Sequence, residues 1–361
     1  MIIYIVYFIF FMILAVEYEL KPFRNGTFLV ISVLSLAILA GFRGPEVAKD
    51  YEGYQFIFDS IYDMKGVKDV FLPLLEPGFT GIILIFRALF QNNYGLTIML
   101  FIAIASVLLK IISFKYLSFN PYLVILFYYS HYFLLHEMTQ IRIGFASAIF
   151  FISLIFYLRG NIKVFVLMIL LATFFHYSAI LYLVILLFDP KKFNKYIYIS
   201  LIALSLILGY LKIPFLNFLG GFDPSQVSQR LGNYAWLVES GNAESVNVFN
   251  TLNLINIGCS LYYIIFIPAE KLIEDKATTL FLKCNILSIL LLSLLSGIPS
   301  LAFRFSELFG LISIFLFASL VRYLPFSKWN ILIMIMIAFI IFYVIVFHID
   351  LLNPYYMIKI K

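Results

Sequence analysis

Apolar runs follow one another from one end of this chain to the other, and that pattern rules out an ordinary aqueous fold before any motif is considered. They lie near 1–16, 27–42, 74–90, 95–114, 121–135, 141–158, 163–188, 196–213, 251–267, 278–296, 306–321 and 329–348, separated by charged or Gly/Pro-bearing stretches. A spanning helix needs ~17–25 predominantly apolar residues. Only 12% of the 361 residues are charged and 63% are hydrophobic, whereas soluble domains carry about 25% charged residues. The reading is an all-α, polytopic membrane protein of about twelve transmembrane or re-entrant helices. No internal repeat, linker or low-complexity block divides it, so one integral membrane domain covers 1–361. Residues 1–16 lack a basic leader and a clear small-residue cleavage site and read as a first span.

The net charge of +6 sits in loops and reads as topology, not as nucleic-acid binding. If every segment crosses once, Lys and Arg divide evenly between the two sides, which the positive-inside rule rejects. Two adjustments repair this: 163–188 becomes two short helices meeting at His176, and 74–114 contributes one net crossing with a re-entrant part. Lys21, Arg24, Lys115, Arg159, Lys163, Lys191, Lys192, Lys195, Lys271, Lys276, Arg322 and Lys328 then share the cytoplasmic side. The two longest polar stretches are 43–73 and 214–250; the other side holds the 43–73 loop, and the basic residues of its other internal loops are all arginine: Arg142, Arg230 and Arg304. The tail lysines Lys359 and Lys361 fall on this outer side too, against the rule. Guanidinium is suited to bidentate contact with phosphate oxygens.

Each polar residue near that side has a plain reading and a functional one. Arg43 is an interfacial anchor or a substrate ligand. Asp50, Tyr51 and Tyr54 are loop residues or a surface for sugar hydroxyls, since carboxylates accept their protons and tyrosine offers both a ring face and an OH. Glu76, in LEPGF, is a helix-start acid or a partly desolvated general base. Arg142 opens a segment containing Gly144, Ala146, Ser147 and Ala148 and is an anchor or an anion ligand. His176, in an otherwise apolar run, is a hydrogen-bonded core histidine or a site residue. Arg304 and Glu307 are spaced to pair on one helix or to face substrate; Arg230 lies in a loop without periodicity. Cys259 and Cys284 read as packing cysteines. Neither a Walker loop, a GxGxxG turn nor a Cys/His metal spacing is present, so no cofactor and no metal is expected.

The succession GFR…KDYEGY, LEPGF, QIRIGFASAI and ATFFHYSAI resembles the EpsG family of Wzy-like polysaccharide polymerases. The resemblance implies a GT-C-like fold with a cavity at the periplasmic face of a bacterial inner membrane, 43–73 and 214–250 being periplasmic loops. It implies transfer of a glycan from undecaprenyl diphosphate to a second lipid-linked repeat unit, building O-antigen, capsular or exopolysaccharide. On that basis Arg142 and Arg304, with Arg230, would hold diphosphate, and His176 or Glu76 would be the base. Arg43, Asp50, Tyr51, Tyr54 and Glu307 would bind substrate. Implied partners are the lipid-linked donor and acceptor, membrane lipids, a Wzz-type chain-length regulator and a flippase, with no nucleic acid. A flippase for lipid-linked oligosaccharide, an O-antigen ligase or a membrane acyltransferase would share parts of this pattern.

Overall fold

The computed structural model describes residues 1–22, 26–61, 76–90, 94–211 and 246–358. Within them the chain is helical, with two isolated β-bridges and no longer strand. In chain order the helices are α1 (Ile2–Leu20), α2 (Thr27–Gly41), α3 (Tyr51–Ser60), α4 (Pro77–Phe90), α5 (Tyr94–Leu117), α6 (Pro121–Tyr128), α7 (Ile141–Leu158), α8 (Ile162–Thr173), α9 (Lys195–Leu211), α10 (Thr251–Phe266), α11 (Ala269–Glu274), α12 (Lys276–Leu294), α13 (Pro299–Gly310), α14 (Ser313–Leu320) and α15 (Asn330–Tyr343). A π-helix, Tyr129–Glu137, extends α6, and a 3-10 segment, Tyr177–Leu187, follows α8.

Among the described residues, five helices are long and apolar enough to cross a bilayer: Ile2–Leu20, Tyr94–Leu117, Ile141–Leu158, Lys276–Leu294 and Asn330–His348. Helices α13 and α14, bent by 47°, are together a broken span or a re-entrant loop. Six further apolar helices have 10–17 residues. Several apolar segments thus end short of a full crossing because something polar or conformationally special interrupts them. The run 163–188 breaks at residues 174–176, between α8 and the 3-10 segment, where the sequence places His176.

By packing, the chain forms two compact units, residues 1–184 with 318–361, and residues 185–317. In the first, α5 packs on α2, α4 and α7, and α7 packs on α8. The α6–π segment is buried along its whole length except for a half-buried His131. Asn120 caps it by accepting from the Leu123 amide at 3.0 Å, and Pro121 takes the first-turn position where no N–H is missed. Tyr129 stacks on Tyr7, Phe133 and Phe342, joining it to α1 and α15.

The two ends of this unit differ. At one end, Asn120 reaches Glu19 at 2.8 Å and Arg322 lies 5.0 Å from the ring of Phe119, four residues past Lys115 in sequence. At the other, the last described residues run antiparallel to 42–48. Gly44 N donates to Tyr356 O at 2.9 Å, Asn353 N to Val47 O at 3.0 Å, and Ile358 N to Phe42 O at 2.9 Å. The Tyr4 hydroxyl donates to Asn353 O at 3.1 Å, so the start of α1 joins the same knot.

In the second unit α12 lies against α9, α10 and α13. Small polar side chains bind these helices, as bilayer-embedded helices require: Ser205 to Ser293 at 2.6 Å, Ser288 to Ser306 O at 2.6 Å, and Asn285 to Ser260 at 2.9 Å. Cys259 and Cys284 are buried free thiols here.

Candidate active site

The proline of LEPGF opens α4, and Gly78 brings that turn onto the break after α8. Its amide donates to Phe174 O at 2.8 Å, and a Cβ added at Gly78 would lie 2.8 Å from the same oxygen. Only glycine permits this approach. The contact sets Glu76, one residue ahead of α4, opposite His176, two residues past Phe174.

The Glu76 side chain is 5% exposed and holds two partners at once: Oε2 accepts from Arg142 Nη1 at 2.6 Å, and Oε1 faces His176 Nδ1 at 3.0 Å. Burial alone would push this carboxyl up, but the His176 hydrogen bond and the Arg142 charge outweigh it and bring it down to about 2. An ionised carboxylate only accepts, so in this contact Nδ1 carries a proton and points it at Oε1. His176 is 25% exposed, and no described residue hydrogen-bonds Nε2.

Arg142, in the first turn of α7, is 28% exposed. Its guanidinium lies 5.9 Å from the Phe79 ring and against the Tyr54 hydroxyl. Its Nε has no partner among the described residues. Beneath the site, Tyr51, Tyr54, Phe58, Phe79, Ile83, Ile98, Met99, Ile102 and Ile141 form one apolar cluster. The site is a carboxylate gripping an imidazole and a guanidinium, both partly open, over a rigid floor.

The other expected residues fall into three groups. Tyr54 joins the site and lies within electrostatic reach of both Arg142 and Arg43. Asp50 is exposed just before α3, and Tyr51 is buried with its ring 5.7 Å from the Arg43 guanidinium. Arg43 is 1% exposed: Nη1 donates to Ala40 O at the end of α2, and Nη2 to Met99 Sδ at 3.7 Å. It pairs with no carboxylate among the described residues. Arg304, exposed, and Glu307, half-buried, lie on α13 in the second unit and form no ion pair with each other. Arg230 lies outside the described residues.

Sequence reasoning passed over a second charged pair. Lys110, inside the α5 span, meets Glu137, the last π-helical residue, at 2.5 Å, both side chains 1% exposed. An ionisable group within a span is costly in hydrocarbon and demands a partner, so the lone lysine of IASVLLKIISF was the available signal.

Several long apolar helices and an acid–imidazole–guanidinium cluster beside a helix break define a polytopic membrane protein with a site equipped for proton transfer and anion contact. The chain belongs to the EpsG family, whose profile matches residues 26–358, nearly the whole sequence. That family is associated with Wzy-like polymerases and points to a role in polysaccharide biosynthesis at a membrane. Among curated proteins and among solved structures, nothing matches.

Proposed function

We propose that this protein polymerises undecaprenyl-diphosphate-linked oligosaccharide repeat units into O-antigen, capsular or exopolysaccharide at the periplasmic face of the inner membrane. The observation that carries the reading is the double grip of Glu76 on His176 and Arg142, in a chain of the EpsG family. Sidedness follows from the lysine-rich end of the first unit: the positive-inside rule assigns Lys115 and Arg322 to the cytoplasm and the end bearing residues 42–54 to the exterior. On this reading the long spans, the bent pair and the shorter apolar helices serve as the about twelve transmembrane or re-entrant elements of a GT-C-like architecture.

In the reaction the acceptor hydroxyl oxygen attacks the donor's anomeric carbon. The bond from that carbon to diphosphate breaks, and its electron pair leaves with undecaprenyl diphosphate. The hydroxyl proton passes to His176 Nε2. Glu76 stays ionised, holds the ring in the tautomer that accepts at Nε2 and stabilises the imidazolium once it forms, the logic of acid–His pairs in general. Arg142 spends one N–H on Glu76 and offers the rest to the leaving diphosphate; a preorganised guanidinium stabilises that charge. Asp50, exposed just ahead of α3, and Tyr54, against Arg142, contact the sugars. This route requires no metal.

The test is the glycan ladder on gels from cells carrying His176→Ala or Arg142→Ala at normal expression. Both lose the ladder on this reading; normal ladders from both would overturn it. Purified protein with lipid-linked repeat units yields a ladder without nucleotide or ion gradient, where a flippase yields none. A ligase yields a single transfer to a different acceptor.

A further inference from the structure

The buried Lys110–Glu137 pair lies outside the site just described, yet its hydrogen bonds lead to it. Glu137 Oε1 accepts from Lys110 Nζ at 2.5 Å and from Ser106 Oγ at 2.7 Å. Ser106 Oγ also lies 3.1 Å from Gly144 O. Gly144 is in the same first turn of α7 as Arg142, and its amide donates to Gln140 O at 2.9 Å. A Cβ at Gly144 would come within 3.1 Å of His136 O and 3.3 Å of Glu137 Oε1, so the turn is pressed against the end of the π-helix. Lys110 Nζ lies 5.2 Å from the Tyr128 ring, which closes the far side.

The geometry requires the wide turn. In the π-segment, Met138 N bonds to Phe133 O at 3.3 Å and Gln140 N to Leu135 O at 2.9 Å, each five residues back. Such turns insert one residue and redirect the side chains that follow, commonly next to functional sites. Here Glu137 faces α5 and Arg142 emerges five residues later toward Glu76. Two charges taken out of water cost more than a packed apolar pair of the same volume. Stability alone does not explain their presence.

We infer that Lys110 and Glu137 are positioning residues: with Ser106 they lock the first turn of α7 onto α5 and so hold Arg142 at Glu76. This rests on the polymerase reading above, and the test separates the two. Turnover and thermal unfolding are measured on purified protein with lipid-linked repeat units for Lys110→Met, Glu137→Met, the double variant, Ser106→Ala and Arg142→Ala. Each charge-breaking single variant leaves a buried charge unpaired and melts lower. The double variant regains the wild-type melting temperature, yet its kcat falls by roughly 10–100-fold at nearly constant KM, because small misplacements at a reacting centre carry penalties of that order. Ser106→Ala keeps both charges paired, melts lower by less than either charge-breaking variant, and lowers kcat several-fold. A double variant and a Ser106→Ala variant that both turn over at the wild-type rate, beside an inactive Arg142→Ala, overturn this inference alone. Wild-type turnover by Arg142→Ala overturns the functional reading and this inference with it. Should the double variant fail to fold, Ser106→Ala decides by the same criterion.

Discussion

At the residue scale, the chemistry rests on which nitrogen of His176 carries its proton. Glu76→Gln keeps the shape of the contact but gives the imidazole an amide N–H to accept from, which stabilises the opposite tautomer. We expect turnover to fall by ~10²–10⁴-fold, as for His176→Ala, with the protein still folded; an in vitro ladder assay on detergent-purified protein checks both variants. The same carboxylate sets an acid limit on stability. Its pKa is about 2 in the folded protein against an ordinary 4.5, so its pairing contributes fully above about 4.5 and is lost as pH falls from there toward 2. The melting difference between wild type and Glu76→Gln therefore shrinks as pH falls below about 4.5. Glu76, Arg142 and His176 were all legible in the sequence because each interrupts an apolar run. That one carboxylate holds both partners was not, since the contacts join residues 66 and 100 positions apart.

At the element scale, two close approaches of glycine to other backbone or ring atoms set local geometry. Gly78→Ala forces a methyl against Phe174 O, and such overpacking costs about 1–3 kcal/mol. Because the strain falls on the contact that aligns Glu76 with His176, turnover drops more than melting does, and parallel rate and unfolding measurements show the difference. Gly44→Ala places a methyl 2.1 Å from a Tyr356 ring carbon, so the tail separates from 42–48. Limited proteolysis then cuts the tail faster than in wild type. The break at residues 174–176 was readable, since 163–188 is an apolar run with a histidine at its middle. The π-segment was not: its pattern of apolar residues is that of any buried helix, and only the bonds five residues back distinguish it. The tail's pairing left no trace either, because an isolated bridge carries no periodicity.

At the scale of the whole molecule, the apolar pattern gave the class, an all-helical membrane protein, but not how many segments make a full crossing. Length decides that, and several helices stop early at polar or glycine-bearing positions. Within the first unit, α3, which Asp50 precedes, packs Phe58 on Tyr94 at the start of α5, and Ser118 follows the other end of this helix, about 36 Å long at 1.5 Å per residue. Single cysteines at Asp50 and Ser118 should react with impermeant maleimide from opposite faces of the membrane, Asp50 from outside. The native Cys259 and Cys284 are buried and give little background. Equal labelling of both from one face would invert or abolish the proposed orientation. The tail alongside 42–48 also bears on biogenesis. The backbone of residues 42–48 gains these partners only when residues 352–358 arrive, after some three hundred intervening positions have been synthesised. This edge therefore stays unpaired while the helices between are threaded into the bilayer.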